Sequence, residues 1–160
     1  MEIQEAVFPA DSQRLIAVIT EYVNWLDMDL SYRGFAAEMA QFDALFTLPS
    51  GLFLLALEGD AIAGCVGLLR HSATTAEVKR LYVRPAFRGQ SLGETLIDTL
   101  IARATALGFE RLVLDAVPQT VVAQGLYRAK GFEETAPYYV NPVPGTKFFT
   151  LGLNAHAAQY

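Results

Sequence analysis

The sequence predicts an α/β fold in which helices cover both faces of a mixed sheet. Segments with the length of strands alternate with segments whose apolar residues recur at helical spacing. Two neighbouring strand-like segments are joined by a hairpin signal, which indicates antiparallel pairing. A later helical segment lies between two strands, which is typical of a parallel connection. We therefore expect one sheet that combines both kinds of pairing.

The chain begins with a predicted strand and two predicted helices. The strand covers residues 3–8, and Asp11 or Ser12 can cap the helix that follows. The apolar residues of this helix recur at helical spacing, at Leu15, Ile16, Ile19, Val23 and Leu26. A shorter helix is predicted for residues 34–42.

A three-stranded meander is predicted next. Residues 52–58 and 61–70 are two apolar runs on either side of Gly59-Asp60, which has the composition of a two-residue hairpin turn. Residues 74–83 continue the meander as its third strand.

The second half of the chain alternates helices with strands. One helix has apolar residues at Leu92, Leu96, Ile97, Leu100, Ile101 and Ala104. It ends at Gly108, which suits the left-handed residue after a helix. Residues 111–115 form a short buried strand, Thr120 can cap a helix that ends at Gly131, and a last strand is predicted near residues 148–153.

The composition is that of one globular domain, and we expect residues 1–160 to form it. Hydrophobic residues make up 52% of the chain, but no apolar run approaches the roughly 18 residues of a membrane span. The first residues lack the basic and apolar regions of a signal peptide. We therefore expect a cytoplasmic protein without a membrane partner.

The charged and metal-ligating residues exclude two classes of partner. A net charge of −5 disfavours a general nucleic-acid binder. The single cysteine Cys65 and the distant histidines His71 and His156 form no metal-binding pattern, so we expect no metal. Four basic residues nevertheless cluster within ten positions: Lys79, Arg80, Arg84 and Arg88. A bound polyanion is therefore expected to be small and locally recognised.

The segment from residue 84 to residue 93 has the composition of an anion-binding turn. A strand-like run enters it, an amphipathic helix leaves it, and it contains two arginines with Gly89 and Gly93. The first N–H groups of a helix are unpaired and carry a partial positive charge, so a phosphate can bind there. By itself, the same composition also suits a strand-to-helix turn that binds no ligand.

Three blocks in this order resemble the GNAT superfamily of acyl-CoA-dependent N-acetyltransferases. Residues 77–85, Glu-Val-Lys-Arg-Leu-Tyr-Val-Arg-Pro, are similar to its fourth strand. Residues 88–93, Arg-Gly-Gln-Ser-Leu-Gly, are similar to its pyrophosphate loop, and residues 123–132 match its Ala-x-x-Leu-Tyr-x-x-x-Gly-Phe pattern. The resemblance implies the GNAT fold, a mostly antiparallel twisted sheet of about six to seven strands with splayed central parallel strands.

The resemblance also implies acetyl-CoA as the cofactor and a set of residues that contact it. These are Leu81, Tyr82, Val83, Arg88, Gly89, Gln90, Ser91, Leu92, Gly93, Thr120, Ala123 and Tyr127. Two of them depart from the family pattern. Ser91 replaces the central glycine of the loop, at a steric cost if that position requires positive φ. Thr120 replaces an asparagine and therefore offers no side-chain amide.

Two residues are candidates for catalysis. By resemblance, Tyr127 protonates the departing thiolate, although a core aromatic would have the same spacing. Glu77 is the candidate general base, and strand alternation places it on one face with Lys79, Leu81 and Val83. A surface glutamate paired with Lys79 is equally consistent with this pattern, and many family members use a water chain or another residue instead.

The resemblance implies transfer of an acetyl group from acetyl-CoA to the primary amine of a small molecule, by direct attack in a ternary complex. Candidate acceptor residues come from the early helices and the tail: Arg33, Glu38, Tyr138, Tyr139 and Asn141. Each of them also suits a solvated helix or the packing of the tail. The alternatives are a peptide or protein N-acetyltransferase and a non-catalytic acyl-CoA-binding module. The apolar content permits a homodimer.

Overall fold

The computed structural model describes residues 1–31 and 34–153. Within them the chain forms seven strands, β1 (Glu2–Glu5), β2 (Gly51–Glu58), β3 (Ala61–Arg70), β4 (Thr75–Val83), β5 (Arg111–Ala116), β6 (Glu133–Thr135) and β7 (Lys147–Gly152). The α-helices of these residues are α1 (Ser12–Leu26), α2 (Phe35–Ala40), α3 (Phe42–Leu45), α4 (Leu92–Ala106) and α5 (Val121–Ala129). None of these helices has both the length and the apolar character that crossing a membrane requires.

The strands form one mixed sheet in the order β1-β2-β3-β4-β5-β7-β6. Among the described strands, β4 and β5 run parallel and the other neighbours run antiparallel. β4 and β5 pair only over residues 75–77 and 111–113, and beyond these residues they part. The predicted mixed sheet with splayed central parallel strands is therefore confirmed.

A β-bulge interrupts β4 where the two parallel strands part. Cys65 of β3 pairs with Tyr82, and Gly67 pairs with Lys79, so β4 has one residue more than β3 between these two pairs. Arg80 lies in the bulge with a φ of 58°, a left-handed conformation that is uncommon for any residue other than glycine.

The bulge corrects the predicted alternation of side chains along β4. Lys79 contacts α2 on one face of the sheet, as the alternation predicts for the face of Glu77. Leu81 and Val83 instead pack against the core of α4 on the opposite face, and Tyr82 packs against α1. An extra residue in a strand reverses the alternation beyond it, so the expected common face of Glu77, Leu81 and Val83 is wrong.

Two cores flank the sheet, which confirms helices on both faces. One core packs α4 and α5 against the sheet, with Leu92, Leu96, Ile97, Leu100, Ala104 and Tyr127 among its buried residues. The other packs α1, α2 and α3 against the opposite face, with Leu15, Val18, Ile19, Phe42, Phe46 and Phe53 among its buried residues.

The local turn signals are confirmed more closely than the ends of the weaker elements. Glu58 pairs with Ala61 across the predicted two-residue turn. Gly108 follows α4 with a φ of 89°, as predicted for a left-handed residue. The predicted helix of residues 34–42 is broken at Gln41 into α2 and α3. β6 was missed because its exposed Glu-Glu-Thr sequence has no apolar alternation.

Two polar side chains near the N-terminus act differently from the prediction. The Asp11 carboxylate accepts a hydrogen bond from the N–H of Val7 and forms an ion pair with Arg14. The chain therefore turns at Val7, and β1 ends at Glu5 rather than at the predicted residue 8. Ser12 donates to the Asp43 carboxylate of α3. The prediction that one of these side chains caps α1 is wrong, because neither makes the capping hydrogen bond.

Candidate functional site

A groove of about 470 Å³ opens where β4 ends and where α4 and α5 begin. The aromatic side chains of Tyr22 and Trp25 on α1 flank it. Most of the predicted cofactor residues line it: Leu81, Tyr82, Val83, Arg88, Gly89, Ser91, Leu92, Gly93, Thr120 and Ala123. Gln90 is not among the lining residues, and Tyr127 lies in an adjoining cavity.

The turn into α4 presents backbone donors to the groove. Within the described residues, no hydrogen bond engages the N–H groups of residues 89–94. Gly89 has a φ of +84° and no atom within 4 Å of the position that a Cβ would take, so the backbone is accessible at this point. Because a helix N-terminus also carries a partial positive charge, this turn is suited to bind a phosphate group.

Arg88 adds a full positive charge at the edge of the groove. Its Nε donates to the carbonyl oxygen of Val83 at 3.0 Å. Its guanidinium lies 5.7 Å from the ring centre of Trp25 and 5.9 Å from that of Tyr82. These contacts hold the cation between the turn and α1, where it faces any anion bound by the turn.

Sequence reasoning missed Tyr22 and Trp25. Their rings stack with centres 6.2 Å apart, and Trp25 remains 45% exposed although it lines the groove. They are three residues apart along α1, beside the predicted apolar positions. An aromatic pair at the edge of an apolar helix face is the signal that could have identified them.

Thr120 lies at the start of α5 but does not cap this helix with its side chain. Its hydroxyl donates to the carbonyl oxygen of Val117 at 2.8 Å, so the predicted cap is wrong. The residue is buried and lines both the groove and the adjoining cavity.

A smaller cavity of about 60 Å³ adjoins the groove between β4 and β5. Tyr22, Leu81, Thr120 and Ala123 line both spaces. Tyr127 reaches this cavity from α5. Tyr127, predicted for catalysis, therefore meets the predicted cofactor residues Leu81, Thr120 and Ala123 where the parallel strands part.

Tyr127 is a buried phenol whose hydroxyl is available to the cavity. The residue is 7% exposed, and its ring centre lies 5.5 Å from that of Phe132 and 6.3 Å from that of Phe149. Within the described residues its hydroxyl makes no hydrogen bond. Burial, followed by the neighbouring Tyr22 and Asp115, raises the pKa of Tyr127 well above that of an ordinary tyrosine. The phenol is therefore protonated at neutral pH.

Glu77 is only 2% exposed and is held by two side chains. One carboxylate oxygen lies 2.9 Å from Nε2 of His71, and the other accepts a hydrogen bond from the Tyr138 hydroxyl at 2.6 Å. Lys79 contacts Glu38 rather than forming the considered ion pair with Glu77. Glu77 does not line the smaller cavity, so a proton could reach it from there only through an intervening group.

The sheet brings a second carboxylate, Asp115, to the smaller cavity. The Tyr139 hydroxyl donates to Asp115, and Asn141 donates to the Tyr139 hydroxyl. The tail residues Tyr138 and Asn141, predicted to contact the acceptor, thus support the carboxylates Glu77 and Asp115. No local signal identifies Asp115, because its position beside the cavity depends on the pairing of the sheet.

The other two predicted acceptor residues differ in their outcome. Glu38 is buried on α2 and contacts both Lys79 and Arg80. Arg33 lies outside the described residues. Across the described part of the chain, no group of three or more His, Cys, Asp or Glu side chains is placed to hold a metal ion.

Comparisons with known proteins agree with this geometry. A sequence profile of the Acetyltransferase (GNAT) family matches residues 19–132. An uncharacterised N-acetyltransferase of Schizosaccharomyces pombe is 32% identical over 156 residues, 96% of each chain. An acetyltransferase structure from Streptococcus agalactiae has a TM-score of 0.77 and 25% identity, covering 94% of this chain and 97% of its own. The structure of the PaiA N-acetyltransferase of Thermoplasma acidophilum in complex with coenzyme A has a TM-score of 0.73 and 19% identity. The match covers 95% of this chain and 99% of that structure's chain.

The chain belongs to the GNAT acetyltransferase family and, as a member, is an acetyl-CoA-dependent N-acyltransferase. The resemblance drawn from the three sequence blocks is thereby confirmed. The expected fold is confirmed as well, because solved GNAT structures share it over nearly the whole chain.

The lining of the groove fits acetyl-CoA. Beyond Glu77, β4 has no strand partner on its β5 side among the described residues, so its open edge near Leu81 and Val83 can pair with the amides of a pantetheine arm. The N–H groups of residues 89–94 and the cation of Arg88 suit a pyrophosphate. These groups would hold the cofactor along the groove that leads to Tyr127.

Ser91 provides a test of the turn, because it has the conformation that glycine favours. Its φ is 58°, and its side chain makes no capping hydrogen bond. We expect Ser91→Gly to raise the free energy of unfolding by about 1 kcal/mol. The variant relieves the steric cost of the left-handed conformation, and part of this gain is offset because glycine has more conformational freedom in the unfolded chain. In thermal unfolding this corresponds to a melting temperature about 2–4 °C higher. CoA binding should persist, because the backbone N–H remains.

The matched control is Ser91→Ala, which removes the hydroxyl but keeps a Cβ in the left-handed conformation. It should not raise the melting temperature. A Ser91→Gly variant no more stable than the wild type would show that the turn is not strained at this position.

Proposed function

We propose that this protein transfers the acetyl group of acetyl-CoA to the primary amine of a small molecule. The observation that carries the proposal is the protonated, buried hydroxyl of Tyr127 in a small cavity at the inner end of the groove. When bound, acetyl-CoA supplies an acetyl thioester that an amine attacks directly in a ternary complex, forming the C–N bond as the C–S bond breaks. The protein must then give a proton to the departing sulfur and take one from the amine.

Tyr127 is suited to give the first proton. Its raised pKa means that the phenol carries its proton at neutral pH, so a donor is present beside the cavity. Burial also raises the affinity of a departing thiolate for a proton, which brings it closer to that of the phenolate. The open edge of β4 adds backbone N–H groups that can stabilise charge on a reacting carbonyl oxygen.

Glu77 is the proposed acceptor of the second proton, by way of water. Its burial within the network of His71 and Tyr138 supports this role, since the network fixes the carboxylate. The His71 side chain is 34% exposed and connects the carboxylate to solvent, which offers the proton a way out. Asp115 is the alternative base, because it lines the cavity directly.

The size of the cavity supports a small acceptor group. At about 60 Å³ it holds roughly four to six water-sized atoms, enough for an amine and its nearest substituents. A peptide or protein amine remains the alternative acceptor, since only its reactive end need enter.

We also infer that residues 1–160 act as one domain in the cytoplasm. The single sheet that joins all seven described strands supports one domain.

An amine panel tests the proposed function. The purified protein is mixed with acetyl-CoA and with amino acids, alkylamines, polyamines or short peptides, and free thiol is measured. We expect thiol release that depends on a small amine. Release only with peptides would favour the peptide acetyltransferase. CoA binding without release for any amine or peptide would favour the non-catalytic binding module.

Replacing Tyr127 with phenylalanine removes the proposed proton donor and keeps the ring. We expect Tyr127→Phe to lower turnover by about 10²-fold or more, the usual contribution of a general acid. CoA binding should survive, and it can be followed through the fluorescence of Trp25, the only tryptophan of the chain. Unchanged turnover would contradict the acid role.

Replacing Glu77 with glutamine removes the proposed proton acceptor with little change in size. We expect Glu77→Gln to lower turnover by about 10²-fold while the melting temperature shows that the fold persists. Asp115→Asn is the matched comparison, because it makes the same chemical change at the other carboxylate. A larger loss of turnover in Asp115→Asn would assign the base to Asp115 instead.

A further inference from the structure

The bulge in β4 places two consecutive cations on one face of the sheet. In a regular strand Lys79 and Arg80 would point to opposite faces. Because Arg80 is the extra residue, with a φ of 58°, both side chains instead reach toward α2. Positive φ at a residue other than glycine is strained and is often found at functional sites.

The two cations share one carboxylate in a buried cluster. Nζ of Lys79 contacts Oε1 of Glu38, and Nη2 of Arg80 donates to Oε2 at 3.0 Å. The three side chains are between 6% and 9% exposed. Burying charges is costly unless they are paired; Glu38 contacts both cations, and Glu77 is close enough to act on Lys79 as a second anion.

Arg80 has a donor that the cluster leaves without a partner. Its Nε is buried and makes no hydrogen bond within the described part of the chain. A buried donor without a partner costs about 1–3 kcal/mol, so a ligand or a bound water is expected to meet it. Arg80 and Lys79 are both among the residues that line the cavity with Tyr127.

Burial and the neighbouring Arg80 lower the pKa of Lys79, as expected for two cations held close together. An anion in the cavity would relieve this repulsion. Asp115 lines the same cavity and supplies a negative charge for an ammonium group. Groups of both signs thus surround a space that holds roughly four to six water-sized atoms.

We infer that Arg80 and Lys79 bind a carboxylate of the acceptor, and that the acceptor is an α-amino acid or a closely similar amino carboxylate. This inference rests on the proposed function, since it names the acceptor class of the same site. An α-amino acid presents an ammonium and a carboxylate on one carbon, a head group of five heavy atoms that matches the cavity in size and charge. A guanidinium N–H with a neighbouring ammonium suits a planar carboxylate.

The wild-type protein provides the first test. Thiol release from acetyl-CoA is measured with each standard amino acid, with its carboxamide and with the amine left by removing its carboxylate. We expect the best amino acid to exceed its carboxamide in kcat/KM by about tenfold to 100-fold, the value of charged hydrogen bonds. The α-ammonium group of a carboxamide loses its proton more readily than that of the amino acid. Without a carboxylate site the carboxamide would therefore be the more reactive acceptor.

The outcomes separate the two proposals. Carboxamides or simple amines that react as well as the amino acids would overturn the carboxylate site and leave the proposed function standing. If none of the tested amines gives thiol release, both the proposed function and this inference are overturned.

Arg80→Gln provides the second test. We expect it to reduce the preference for the amino acid over its carboxamide to about threefold or less, mainly through a higher KM for the amino acid. Arg80→Lys, which keeps a charge but has no Nε–H, should fall between the two. Arg111→Gln is the matched control, since Arg111 is an exposed arginine that bonds Thr150 at the other end of β5.

A purely structural role of Arg80 makes a different prediction. It would lower the activity with both acceptors alike and leave their ratio unchanged, which would overturn the inference. If Arg80→Gln does not fold, the selectivity of the wild-type protein still decides the question.

Discussion

The parting of β4 and β5 is the constraint on which the rest of the site depends. The two strands pair over three residues each and then separate, although each remains bonded to its outer neighbour, β3 or β7. Two adjacent strands that part inside a sheet leave backbone groups without partners, which is costly unless something else meets them. The groove and the smaller cavity both lie at this gap, so the parting of the strands shapes both spaces.

The surrounding elements keep the gap open and give it two different ends. On one face, α4 packs its apolar residues beneath β3 and β4, and its first turn supplies free N–H groups at the outer end. On the other face, α1 brings Tyr22 and Trp25 beside the groove. At the inner end, α5 contributes Tyr127, while α2 and the tail support the charged residues. The turn that suits a phosphate and the residues proposed for the chemistry thereby lie at opposite ends of one channel.

Two of the three non-glycine residues with a positive φ in the described part of the chain lie beside this channel. Arg80 and Ser91 both have left-handed φ values, one at the inner end and the other at the turn into α4. Such conformations cost about 1–3 kcal/mol each and persist where the surrounding structure requires them. At Arg80 the strain accompanies a bulge that directs two consecutive cationic side chains toward α2. At Ser91 it accompanies the turn that exposes backbone donors.

Local patterns in the sequence determined the order of the elements, the hairpin at Gly59-Asp60, the end of α4 at Gly108 and the loop of residues 88–93, because turn chemistry and periodicity act over a few residues. Only the tertiary structure decided which face each residue of β4 occupies, because nothing in Lys-Arg-Leu-Tyr marks a bulge. It likewise decided that Arg80 donates a hydrogen bond to Glu38, 42 residues away, and that Asp115 and Tyr127 line the same cavity. Those contacts depend on how distant segments pair and pack, which no short stretch of sequence encodes.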